Sequence, residues 1–212
     1  MWTDRSHGDL RPARSSQAVP AVPGGPPAGR RCYQLHQVHG SAVHVVGVEE
    51  STRLQTGDAL VSADPTACLV VLTADCASIA LGSPEGVYAA VHAGWRGLAA
   101  GVIESAATAM RAEGASEVVG TLGPCIHAEC YAFSEPELGS VVERYGDQVR
   151  GVTSRGGPAL DVPATVRAAF IGAGITAAPG VDACTACDGK YFSHRARGDI
   201  GRQALIVWRD RP

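Results

Sequence analysis

The stretch Ser78–Ala93, SIALGSPEGVYAAVHA, constrains the fold more than any other part of the chain. Two apolar runs meet there across Ser-Pro-Glu-Gly, residues whose fixed or permissive φ favours a tight turn. A parallel crossover needs a dozen or more residues, so these runs can pair only as an antiparallel ribbon. Similar strand-like segments, CYQLHQVHG, SAVHVVGV, DALVSA and CLVVLTAD, crowd the region before Gly94 with short links between them. The first two are expected to form a hairpin hinged near Gly40–Ser41, the second carrying β-branched Val43, Val45 and Val48. CLVVLTAD is apolar enough for a sheet interior.

After Gly94 helices and strands mix. GLAAGVIESAATAMRAEG is alanine-rich with apolar residues at helical spacing, and is predicted as one helix ending at Gly114. SEPELGSVVERYG opens with a serine cap and a proline, and DVPATVRAAFIGAG places Asp161 as a cap and Gly172 or Gly174 as a stop. EVVGTLG and ALIVWR read as strands, and no repeat is present. The fold class predicted is α+β: one compact domain with a mixed, largely antiparallel sheet flanked by helices, rather than a doubly wound parallel sheet. The chain has 212 residues, which suits a single domain. Residues 1–30 read as a short strand-like tail plus a Pro/Gly-rich connection over 11–30, and residues 31–212 as the organised domain.

Several functions are excluded. The net charge is −3 with no basic block, against a nucleic-acid surface. No apolar run reaches membrane-spanning length, and MWTDRSHGDL has no signal-peptide core. Seven cysteines, an odd number without an export signal, point to reduced thiols in the cytoplasm. Lys190 is the sole lysine, so Schiff-base chemistry would have to use it.

His39, Cys76 and His92 each stand where a strand-like segment turns. Strand ends converge at a sheet rim, and two imidazoles with one thiolate make a three-ligand zinc set that leaves a fourth position open. Asp75, beside Cys76, could serve as a base or orient a ligand. Against this stands packing: Cys76 as a small buried hydrophobe and the histidines as satisfied core or surface groups. In HAGWRG, the glycines would let backbone approach a ligand, a helix expected to begin after Gly97 would present free N–H groups, and Arg96 suits phosphate or carboxylate. Arg195 and Arg202, in FSHRARGDIGRQ, are either part of a solvated loop or close over an anion. Cys184 and Cys187 form a lone C-x-x-C: a redox pair, half a zinc site with Cys125, His127 or Cys130, or, the preferred reading, reduced thiols. His36 and His44 are given no role.

Taken in order, QVHGSAV, GDALVS, LTADCASIAL, VHAGWRG, GPCIHAECYAF, CT and FSHRARGDIGRQ resemble the signature blocks of the laccase-domain family, also called multicopper polyphenol oxidase-like proteins. The resemblance runs from about Gln34 to Trp208. It implies a compact α+β fold and one zinc, copper being the alternative, held by His39, Cys76 and His92. It also implies phosphorolysis of adenosine, inosine and methylthioadenosine to the free base plus ribose 1-phosphate, with adenosine deamination as a second activity. The implied partners are a small purine nucleoside and phosphate, not nucleic acid or membrane; no oligomeric state is specified. Two features depart from the pattern. The Pro/Gly-rich stretch stands where an SLNLG-containing segment, an acidic stretch and a helix would help wall the pocket, and the second cysteine of CTAC is foreign to it. Two other classes of function remain: a hydrolase or amidase acting on cell-wall precursors or amides, with Cys76 as nucleophile and His92 as base, and a non-catalytic metal-binding partner protein. Seven scattered histidines are too few for multicopper oxidation.

Overall fold

The computed structural model describes residues 1–11, 22–47 and 55–210, and the Ser-Pro-Glu-Gly ribbon lies at the middle of its largest sheet. The first strands are β1 (Arg31–Tyr33), β2 (Leu35–His36), β3 (Val43–Val45), β4 (Gln55–Thr56), β5 (Ala59–Ser62), β6 (Ala67–Thr73), β7 (Ala77–Gly82) and β8 (Tyr88–Ala93). They are followed by α1 (Trp95–Ala100), α2 (Val102–Ala112), β9 (Val118–Leu122), α3 (Glu135–Tyr145), β10 (Arg150–Val152) and β11 (Pro158–Leu160). The chain closes with α4 (Val162–Gly172), β12 (Ile175–Ala177), α5 (His194–Arg197) and β13 (Gln203–Val207).

The six-stranded sheet runs β12-β9-β7-β8-β5-β3, and a three-stranded sheet runs β1-β6-β13. β7 pairs antiparallel with both β8 and β9, while β3 joins β5, and β12 joins β9, in parallel. The predicted α+β class with a mixed sheet is what the molecule adopts. The alternation of side chains sorts the core into two layers. From β8, Ala89, Val91 and Ala93 face α2 and α4 in the main cluster, which also holds Ile79, Leu81, Ile103 and Met110. Tyr88 and Ala90 face the other way, against Leu69, Val71 and Leu205 of the small sheet. Covering both faces explains why these strands are continuously apolar. Each fully buried Ile or Leu contributes about 1.5–3 kcal/mol. β6, as read from its composition, lies between two partners.

Two expectations need correction. The first two strands do not form a hairpin: β2 pairs with β4 and β3 with β5, both in parallel. Val48 lies outside the described residues, as do residues 12–21 of the Pro/Gly-rich stretch. The alanine-rich helix is two helices, because Gly101 takes φ 81° and breaks the ladder between α1 and α2. A Cβ at Gly101 would also run into the Arg144 guanidinium. By contrast α3 and α4 start where their caps were read, at Ser134 and Asp161. At the N-terminus, Trp2 bridges Leu205 of β13, and Leu10 is buried.

Candidate functional site

Two turns and one strand deliver the site. His39 follows β2 with φ 61°, Cys76 immediately precedes β7 after Asp75 at φ 96°, and His92 lies in β8 opposite Ser78. Their donor atoms all lie within 4.8 Å of one another, and the two imidazoles meet edge to face with centroids 4.8 Å apart. The convergence at one rim expected from the sequence is therefore present, with His92 buried, Cys76 half-buried and His39 exposed.

The group that builds this arrangement is Asp58, the residue before β5, which is fully buried. Its carboxylate accepts the backbone N–H of Val38 (3.3 Å), His39 (2.9 Å) and Gly40 (2.7 Å). It also accepts His92 Nδ1–H at 2.8 Å. One carboxylate thus fixes the left-handed turn carrying His39 and sets the tautomer of His92, leaving His92 Nε2 as its free ligand nitrogen. Burial pushes the Asp58 carboxyl up, but His92 and the N–H groups of Gly40 and His39 outweigh this and hold it below the usual range. Burial likewise pushes the Cys76 thiol up, yet the His92 charge and hydrogen bonds from His39 and His92 lower it to about 6. His92, which burial alone would lower, is raised to about 9 by the Cys76 charge and the bond to Asp58. A thiol ready to ionise between two imidazoles is the donor chemistry that zinc and related ions take. The backbone leaves room for this contact only because residue 94 is glycine. A Cβ there would stand 2.5 Å from His39 Cδ2 and 3.2 Å from Cys76 Sγ.

Beside the trio opens a cavity of about 770 Å³. Its lining includes His39, Cys76, His92 and Asp75, together with Arg11, Arg96, Arg195 and Arg202. Of these four guanidinium groups Arg11 is paired with Asp9, and the remaining excess of positive charge over Asp75 makes the cavity a place for an anion. Arg96 stacks on Trp95 with its Cζ 4.3 Å from the ring centroid, and Arg195 stacks on Tyr131 at 4.9 Å. Both stacks hold a planar cation while leaving its N–H edge available. Arg202 is turned back on its loop, donating through one nitrogen to the carbonyls of Asp199, Ile200 and Gly201. Asp75 accepts Thr185 Oγ1–H and the Arg195 backbone N–H, each at 2.7 Å, so it anchors the FSHRARG loop to the site. His36, given no role above, and His194 of the FSHRARG loop also line the cavity.

Gly97 does not. The helix starts at Trp95, and Gly97 lies buried inside α1, where a Cβ would come 2.9 Å from the Gly40 carbonyl oxygen. The second glycine of HAGWRG serves close packing of α1 on the His39 turn. Sequence reasoning missed Asp58 altogether, although an acid directly before a buried strand in GDALVS was the available signal. It also missed Tyr131 and Trp95, whose rings carry the two arginines.

The family described as multi-copper polyphenol oxidoreductase laccase matches residues 21–210. A purine nucleoside phosphorylase of Streptomyces coelicolor is 38% identical over 184 residues, covering 85% of this chain and 76% of the relative. One from Mycobacterium tuberculosis is 33% identical over 183 residues, covering 85% and 73%. The crystal structure of a Neisseria meningitidis protein superposes with a TM-score of 0.78 at 28% identity, covering 86% of this chain and 76% of the other. With a match across nearly its whole length, the chain belongs to the multi-copper polyphenol oxidoreductase laccase family.

Proposed function

We propose that the chain is a metal-dependent purine nucleoside phosphorylase, cleaving adenosine, inosine or methylthioadenosine with phosphate, with adenosine deamination as a second activity. The observation that carries this reading is one cavity lined by both a His–Cys–His donor set and four arginines. Relatives named purine nucleoside phosphorylase support an enzyme over a passive metal binder. His39, Cys76 and His92 would hold the ion, with zinc preferred over copper for a closed-shell, non-redox role. When bound it supplies Lewis acidity at the cavity wall.

The remaining work falls to the chain's own side chains. Arg96 and Arg195, stacked on their aromatic rings, would bind and orient phosphate near the ribose C1′. Arg202 would add charge at the rim. Positive charge grows on the sugar as the glycosidic bond loosens, so an aligned phosphate stabilises that state as it attacks. Asp75 would carry a proton at its carboxylate oxygens toward the purine, while its bonds from Thr185 and Arg195 hold it in register. Phenol oxidation is disfavoured on ligand grounds. Among the described residues the grouped donors form two sets, and only the one above contains histidine.

One observation favours a second reading. A Cys76 thiol lowered to about 6 beside a His92 raised to about 9 is the charge pattern of a thiolate–imidazolium nucleophile. The test is to incubate the protein with adenosine, with and without phosphate, and separate products by chromatography. Adenine and ribose 1-phosphate formed only with phosphate, and lost on chelation, support phosphorolysis. Activity on amides that survives a chelator but not an alkylating reagent would instead establish the thiol hydrolase.

A further inference from the structure

A second group of ligand-type side chains lies apart from the cavity donors. Cys130 ends the 3-10 turn Ala128–Cys130 after β9, and Cys184 and Cys187 lie in the segment before α5. Although 57 residues separate them, Cys130 Sγ and Cys187 Sγ stand 3.3 Å apart. Cys187 Sγ also lies 3.8 Å from Glu129 Oε1. One donor atom from each of Glu129, Cys130, Cys184 and Cys187 falls within 4.8 Å of all the others. Three sulfurs and a carboxylate at these separations suit a tetrahedral ion with metal–sulfur bonds of about 2.3 Å.

Core packing explains only part of this gathering: Cys184 is buried in the main apolar cluster with Cys130 packed against it, whereas Cys187 and Glu129 are exposed and owe their places to no core. The backbone, in contrast, is arranged around sulfur. His127 N–H donates to Cys184 Sγ at 3.4 Å. The N–H groups of Ala186 and Cys187, inside the C-x-x-C turn, also bear on that sulfur. These N–H groups surround the sulfur that the ion would take, and binding itself would displace the thiol proton.

We propose that Cys130, Cys184 and Cys187, with Glu129, bind a structural zinc ion distinct from the one assigned to the His–Cys–His set. Binding replaces the three thiol protons, which are released to solvent, and closes the site with four protein donors. The ion would tie the Ala128–Cys130 turn to the 184–187 turn. Tyr131, the next residue, carries Arg195, and Thr185 holds Asp75. The zinc would therefore brace the cavity wall from behind.

The experiment is zinc stoichiometry by elemental analysis on protein purified with zinc, for the full chain and three variants. Cys76→Ala removes the cavity donor and should retain one ion per chain. Cys130→Ser/Cys187→Ser, which changes an exposed and a half-buried thiol, should lose one ion relative to the starting protein. Combining all three changes should leave none. If the cavity binds no metal, the expected pattern is one ion in the starting protein and in Cys76→Ala, and none in Cys130→Ser/Cys187→Ser, so the two sites are judged separately. Cobalt loaded into Cys76→Ala should show thiolate-to-metal charge-transfer absorption that disappears with the double change. Zinc content unaffected by Cys130→Ser/Cys187→Ser would overturn the proposal. So would a Cys130–Cys187 disulfide in freshly isolated protein, detected as a two-hydrogen mass loss.

Discussion

Replacing Asp58 by asparagine reaches the site through a residue that touches no substrate. Asp58 is fully buried and takes four donors: three backbone N–H groups and His92 Nδ1. Asparagine keeps the shape but exchanges one oxygen for an NH₂. Turned toward Val38 and Gly40, that NH₂ faces two backbone donors. Turned the other way, it faces the His39 N–H and forces His92 to accept at Nδ1, moving the imidazole proton to Nε2 where a metal would bind. Leaving a buried donor unpartnered costs about 1–3 kcal/mol. At about 2–4 °C per kcal/mol for a chain of this size, Tm should fall by about 2–12 °C. Loss of the partner that orients a ligating histidine should weaken metal binding about 10–100-fold. Competition against a chromophoric chelator, run well below Tm on protein checked by circular dichroism, measures the affinity directly. An Asp58→Asn protein with unchanged metal affinity and unchanged Tm would refute the idea that this carboxylate assembles the site.

Gly94→Ala should distort the site without altering the fold, because its φ of −71° is ordinary and only the Cβ against His39 and Cys76 is at issue. Metal affinity should fall at least about tenfold, the lower range for disturbed ligand geometry, in the same chelator competition. In chelator-treated protein, iodoacetamide labelling of Cys76, followed by mass spectrometry of its peptide, should rise with a midpoint near pH 6. The sign is that a lowered thiol pKa leaves the reactive thiolate populated at neutral pH; a midpoint at the ordinary cysteine value of about 8.5 would contradict the pairing with His92. Arg195→Ala should raise KM for phosphate about 10–100-fold, from about 1.5–3 kcal/mol per charged hydrogen bond. Because the bond to Asp75 comes from the backbone of residue 195, that anchor stays, and kcat should fall much less than KM rises. Gly101→Ala should lower stability by about 1–2 kcal/mol for a left-handed residue, read as a drop in Tm, with the clash against Arg144 adding to it.

What could be read from the chain, and what could not, follows the range of the contacts. The β7–β8 ribbon was legible because Ser-Pro-Glu-Gly fixes a turn within four residues. The α3 and α4 starts were legible because a cap acts over three. The trio was legible as strand ends, and the resemblance reinforced it. Asp58 was hidden because its partners lie 18 to 20 residues before it and 34 after it. The helix break was hidden because alanine-rich periodicity continues across Gly101, and only φ 81° reveals the interruption. The parallel placement of β2 and β3 depends on β4 and β5, so no local hydrophobic pattern forbade the hairpin that was expected. The cysteine cluster is the same case, since a lone C-x-x-C gains its third sulfur from 57 residues away.

The most direct measurement is phosphorolysis of adenosine by chelator-treated protein as zinc is added back, set beside the Cys76→Ala variant under identical conditions. Ribose 1-phosphate formation should return with added zinc in the unaltered chain and stay absent in Cys76→Ala at every zinc concentration. A folded Cys76→Ala protein that forms ribose 1-phosphate at the full rate would contradict the central claim that His39, Cys76 and His92 hold the ion on which catalysis depends.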